Sequence, residues 1–143
     1  MKYRRLIDSI KLEEGFRALP YLDTEGVWTI GYGFTSINGV KVSHFTPKLT
    51  EQQINDCLHE HVFESINIAM NFVNNFCDLT HARQEVLVNM SYQLGNRLLN
   101  FTDTRKYIES KDWENASIEM LDSLWYNQTP ERAKRMSKLF KKG

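Results

Sequence analysis

Glu14, Asp23 and Thr29 fall within one stretch, Ile10 to Thr35, and the two carboxyl groups among them are residue types that acid and base chemistry uses. A carboxyl group on an apolar helical face is partly shielded from water, which disfavours its charged form and raises its pKa. A glutamic acid so placed, here Glu14, holds a proton near neutral pH for a leaving oxygen. Asp23 opens the turn-forming run Asp23-Thr24-Glu25-Gly26 and should stay ionised in water. Two carboxyl groups whose surroundings push their pKa values apart form the acid and base pattern of glycoside hydrolysis. A glutamate in the last turn of a helix and an aspartate opening a turn are also ordinary structural residues, so the pair alone marks a site only statistically.

The elements that must position these groups are readable from spacing. Tyr3, Ile7, Ile10 and Glu14 lie on one face of a helix, while Glu13 shares a mostly polar side with Lys2, Leu6 and Ser9. The adjacent carboxylates Glu13 and Glu14 are thus expected in different surroundings. Gly15 reads as the residue just past the helix end, where a left-handed backbone is cheap. Val27 to Gly33 alternates between a bulky face, Trp28, Ile30 and Tyr32, and a small one, Thr29, Gly31 and Gly33, which is the period of a strand. Asn38-Gly39 between Ile37 and Val40 is a two-residue hairpin turn. The expectation is a three-stranded meander over roughly residues 18–42, with Thr29 on its open face.

From Thr46 the chain turns helical. Thr50 and Gln53 form a capping-box pattern, and Ile54, Leu58, Val62, Ile66, Ala69, Val73 and Phe76 continue it as one long helix. Thr80 opens a segment with Ala82, Val86, Met90 and Leu94 inward, ended by Gly95. Thr102 to Ser110 makes a short helix, Asp112 caps one carrying Trp113, Ala116, Met120 and Leu121, and Thr129-Pro130 starts the last. The Met and aromatic positions keep helical period and read as core.

The 143 residues, with 41% hydrophobic content, suit one globular domain or two small lobes sharing it. No apolar run approaches a membrane span, and the first residues hold no apolar block like a signal peptide, so synthesis in a cytoplasm is expected. Formal charge balances at 18 basic and 18 acidic groups, but residues 51–80 hold none of the basic ones. Such a chain has little electrostatic steering toward an anionic polymer and gives no sign of binding nucleic acid. The basic run Arg132, Lys134, Arg135, Lys138, Lys141 and Lys142 reads chiefly as a solvated helix face. Cys57 and Cys77 fall in the long helical stretch, about 30 Å apart if it is continuous, and are expected as free thiols. His59 and His61 point to different helix faces, and no metal site or other cofactor is indicated.

The stretch around Glu14 resembles the catalytic segment of the phage-type lysozymes, glycoside hydrolase family 24, and most of all those of the T-even phages. The shared pattern is E-G-x-R, then Y-x-D-T-E-G, then T-I-G-x-G, and a second match, WYNQTPERAKR from Trp125 to Arg135, carries the family's C-terminal signature. The resemblance implies an α+β fold. A small three-stranded sheet lobe (12–50) is joined by a long helix (51–78) to a helical lobe (79–143), with the N-terminal helix packed on the latter.

It also implies a monomeric muramidase that cleaves bacterial peptidoglycan with inversion. Glu14 would be the acid, Asp23 and Thr29 would act on the water, and Tyr32, Gly33, Phe34, Tyr92, Gln93 and Arg132 would line the substrate cleft. Arg132 is further implied close to Glu14, where a cation opposes the effect of burial. A phage enzyme of this kind would need a membrane-permeabilising partner, or a virion, to reach the wall. Three features depart from the family pattern: Phe34 stands where a histidine is usual, the segment after the sheet is about a dozen residues shorter, and the chain stops at Gly143. The rival expectation is a peptidoglycan-binding or virion structural module that kept the fold and lost turnover.

Overall fold

The first helix, α1 (Tyr3–Glu14), stops where Gly15 adopts φ +66°, with its N–H on the carbonyl of Lys11 at 3.0 Å. A positive φ there costs glycine little and ends the helical path. The computed structural model describes residues 3–143, apart from the side chains of Tyr3 and Leu124. Lys2 and the Tyr3 side chain, which the helical spacing assigns to two faces, lie outside the described residues. Leu6 and Ile10 are both fully buried, so the buried arc is wider than the stripe expected, and Leu6 belongs to it rather than to a polar side. Glu13 and Glu14 are both half-buried.

The chain divides into two units, residues 3–63 and 64–143, the division falling inside a long helix. The first unit contains α1. Its strands β1 (Arg17–Leu22) and β2 (Trp28–Gly31) are antiparallel, with Arg17 opposite Gly31, Tyr21 opposite Thr29 and Leu22 opposite Trp28. A second ladder joins β3 (Ser36–Ile37) to β4 (Val40–Lys41) through Asn38 (φ 51°) and Gly39 (φ 79°), as an Asn-Gly turn requires.

These are two two-stranded ladders linked by the single bridge Ile30–Phe34, not one three-stranded meander. The strand breaks because Gly31 takes φ +66°, and the Phe34 ring occupies the space a Cβ would need, 2.6 Å from it. Tyr32 and Gly33 therefore belong to a turn.

The long helix α2 (Glu51–Phe72) starts with a reciprocal capping box. Gln53 N–H donates to Thr50 Oγ1 at 3.1 Å, and Thr50 N–H donates to Gln53 Oε1 at 2.9 Å, an arrangement worth about 1 kcal/mol. The helix ends at Phe72 instead of running to residue 78. Asn74 N–H is taken by Glu109 Oε2 at 2.7 Å, Asn75 Nδ2 by the carbonyl of Ile108 at 3.0 Å, and a 3₁₀ turn follows at Phe76–Asp78. Cys77 lies exposed in that turn and Cys57 is buried on α2, both as free thiols.

The second unit is built on α3 (His81–Leu94), capped by Thr80 and ended by Gly95. Every residue from Arg83 to Ser91 is buried, so the Val86, Met90 and Leu94 stripe is one side of a helix covered nearly all round. After it come a 3₁₀ segment (Gly95–Asn100), α4 (Thr102–Glu109), α5 (Trp113–Leu121), α6 (Leu124–Gln128) and α7 (Pro130–Lys142), with the 3₁₀ segment and α7 packed on α3 and α5 packed on α4 and α7. The sequence gives no separate sign of α6. Arg83 closes the far end of α7, donating to the carbonyls of Phe140 at 2.8 Å and Lys141 at 3.4 Å while its guanidinium lies 4.0 Å from the Trp113 ring. A cation there satisfies carbonyls that have no partner within the helix.

Candidate active site

Glu14 is the last residue of α1, and its carboxylate faces Gly33. A methyl group built on Gly33 would stand 3.0 Å from Oε2 and 3.3 Å from Cδ of Glu14, and Gly33 sits at φ +78°. Close approach and left-handed backbone together leave glycine as the residue that fits.

Thr29, on β2, is 3% exposed and so is buried rather than on an open face, and its hydroxyl donates to the carbonyl of Val27 at 2.9 Å. With its hydrogen committed, Oγ1 has lone pairs to offer and can accept from a water. Asp23 follows β1 directly and folds its own turn. Its Oδ1 accepts from Glu25 N–H at 2.8 Å and Val27 N–H at 2.9 Å, an aspartate-centred turn that fixes the carboxylate from its own backbone.

Tyr21 connects these groups. It lies opposite Thr29 across the ladder, so the two side chains share a sheet face. Its hydroxyl is pushed above the ordinary tyrosine value of 10.0, first by burial and then by the negative charge of Glu14. Arg17 pulls it down, and Asp23 adds a smaller upward push. Both carboxylates thus act on one phenol, while the Arg17 guanidinium stands 4.5 Å from the Tyr21 ring centre. Sequence reading gave Arg17 and Tyr21 no role. Their signal was the motif itself, since each falls inside a quoted family run.

Of the six residues expected to line a cleft, Gly33 stands against Glu14, and Tyr32 is half-buried between Phe16 and Phe34, with ring centres 5.2 and 6.4 Å away. Phe34 is 0% exposed and stacks on His61 at 4.9 Å and 25°, so its ring is core. This buried aromatic pair is a stabilising contact of about 1 kcal/mol.

In the second unit, Tyr92 and Gln93 are half-buried at the end of α3. The Gln93 amide is engaged on both sides: Oε1 accepts from Trp125 Nε1 at 2.8 Å, and Nε2 donates to Thr129 Oγ1 at 3.0 Å. Thr129 therefore spends its hydroxyl on Gln93 rather than on capping α7. Arg132 is 6% exposed and donates to Asn89 Oδ1 at 2.6 Å. The C-terminal signature thus anchors a buried polar network. Among the described residues, no three His, Cys, Asp or Glu side chains converge as a metal site.

Comparison with known proteins places these residues in context. The phage lysozyme family model matches residues 11–142. Two proteins of Dictyostelium discoideum are similar along almost their whole length. Probable T4-type lysozyme 2 is 32% identical, with 96% of this chain and 94% of the relative covered. Probable T4-type lysozyme 1 is 29% identical, with 95% and 93% covered. The pre-baseplate central spike protein Gp5 of Enterobacteria phage T4 is 28% identical across 96% of this chain, which spans 28% of that protein.

Proposed function

The chain belongs to the phage lysozyme family, and on that premise we propose that it hydrolyses the bond between N-acetylmuramic acid and N-acetylglucosamine in bacterial peptidoglycan, with Glu14 as general acid. The observation that carries this reading is the seating of the Glu14 carboxylate against Gly33, within electrostatic reach of the phenol that Asp23 also influences. Glu14 donates its proton to the leaving oxygen as the glycosidic bond breaks. Positive charge develops on the departing sugar and is stabilised by the Asp23 carboxylate, which the turn holds by Oδ1. A water placed there gives one hydrogen bond to Asp23 and one to Thr29 Oγ1, which aims its lone pair at the anomeric carbon. Asp23 takes the proton as the new bond forms.

No helix among the described residues is long and apolar enough to cross a membrane. In the phage setting that the sequence resemblance implies, a membrane-permeabilising partner would give the enzyme access to the wall. The likeness to a virion spike protein supports a second reading, a wall-binding particle component.

The test is release of soluble muropeptides from purified peptidoglycan, with the new ends identified by mass spectrometry. Reducing muramic acid ends are expected. Anhydro ends would make the chain a transglycosylase, and no release from a folded protein that sediments with peptidoglycan would favour the binding module.

A further inference from the structure

A pair of carboxylates makes a site rich in hydrogen-bond acceptors. Glu14 supplies one proton and Asp23 none, and the Thr29 hydroxyl hydrogen is already committed to Val27. An amino sugar presents hydroxyls that can donate, but also an acetamido carbonyl and ether oxygens that only accept. A further donor standing among the carboxylates would serve those oxygens.

We propose that Tyr21 is that donor, a substrate-binding residue whose hydroxyl hydrogen-bonds an acceptor oxygen of the sugar at the scissile bond. The assignment rests on the muramidase reading above.

Four observations place it. Tyr21 is directly opposite Thr29 in the ladder, which puts the two side chains on one face. It stands just ahead of Asp23, with only Leu22 between. Its ring is held from one side by the Arg17 guanidinium at 4.5 Å, a contact that fixes the ring plane. The ladder shifts register between Arg17 and Tyr21, and such irregularities re-aim side chains near functional sites. Among the described residues the Tyr21 hydroxyl makes no hydrogen bond, so its donor is available to a ligand. Burial and the neighbouring carboxylates both work to keep the proton on that oxygen, which is what a donor needs. Arg17 acts on the substrate through the ring and is a positioning residue.

Tyr21→Phe removes the hydroxyl and keeps the ring over Arg17. With peptidoglycan as substrate, kcat/KM is expected to fall at least tenfold while the melting temperature stays within a few degrees of the parent. The pH profile should keep its shape, because the acid and base are untouched. Arg17→Met should lower kcat/KM by a smaller factor.

A Tyr21→Phe variant within twofold of the parent would overturn the assignment and leave the muramidase reading standing. Loss of activity together with loss of the cooperative melt would overturn it by making Tyr21 structural. If the parent itself cleaves nothing, the muramidase reading fails, and calorimetric binding of the N-acetylglucosaminyl-N-acetylmuramic acid disaccharide decides the point. Binding weakened at least fivefold by Tyr21→Phe supports the contact, and equal binding overturns it.

Discussion

Residues 3–63 and 64–143 are held together in different ways. In the first unit the candidate catalytic groups are fixed mainly by backbone devices: a helix end at Gly15, the Asp23 turn, the Tyr21–Thr29 register and the positive φ of Gly33. In the second, buried side chains bond to one another and to carbonyls, as with Arg83 on Phe140, Gln84 on Phe76, Gln93 on Trp125, Arg132 on Asn89 and Ser137 on Ser117. Turns, helix ends and strand register set where a site's side chains stand, whatever bonds their polar atoms make. Buried networks consume theirs, so their removal strands desolvated partners. The contrast teaches where a substitution will act: on turnover in the first unit and on stability in the second.

The sharpest break of that contrast comes from a pair of substitutions. Trp125→Ala empties a fully buried site and frees the Gln93 amide, so it is expected to cost about 3–5 kcal/mol of stability, read as a shift of the urea midpoint. Asp23→Asn keeps an oxygen for the turn and loses the charge. Its activity should fall by about 10²-fold or more with a melting temperature near the parent's, and a collapsed melt would show the turn to depend on the charge.

Arg83→Met tests the second unit further. It removes two bonds to the end of α7 from a residue that is buried. Burial pulls this arginine below its ordinary pKa, and its loss should cost about 2 kcal/mol in a denaturant titration. Gly33→Ala sharpens the first unit. A methyl at φ +78° and 3.0 Å from the Glu14 carboxylate should displace that carboxylate, lowering turnover about tenfold or more for a stability loss of about 1 kcal/mol. Unchanged turnover would separate Glu14 from the chemistry.

The smallest effect expected concerns the two thiols. Burial, then Glu60 and Asp56, push the Cys57 thiol above its ordinary value of 9.0. The unfolded chain therefore releases this proton first as pH rises. The contribution is intact below about pH 9 and is lost as pH climbs from there through the folded value. Cys57→Ser should flatten the decline of the urea midpoint across that alkaline window. In the native protein at neutral pH, exposed Cys77 should react with an alkylating reagent well before buried Cys57.

Legibility in the sequence followed the same division. Local rules read the ends of elements well: Gly15 and Gly95 terminate helices, Thr50 with Gln53 caps one reciprocally, and Asn38-Gly39 turns a hairpin. The α+β architecture and the family were carried by two motif runs near the ends of the chain. What local rules could not reach was tertiary. The strand through Gly33 fails because the Phe34 ring fills the space beside Gly31. The long helix stops early because Asn74 and Asn75 bond to Glu109 and Ile108. Phe34 stands beside the motif, and its packing as core against His61 was not readable from there. Gln93 and Thr129 look independent in sequence and are partners in space. Tyr21 sits in plain view in Y-x-D-T-E-G, but only the strand register sets it beside Thr29.

The most direct test of Glu14 as the acid is the turnover of peptidoglycan by Glu14→Gln, measured beside the parent with melting curves from the same preparations. The amide keeps the shape against Gly33 and cannot supply the proton. Activity is expected to fall by about 10²–10⁴-fold with the melting temperature little changed. Cleavage at close to the parent rate would contradict the assignment of Glu14 and move the acid elsewhere in the chain.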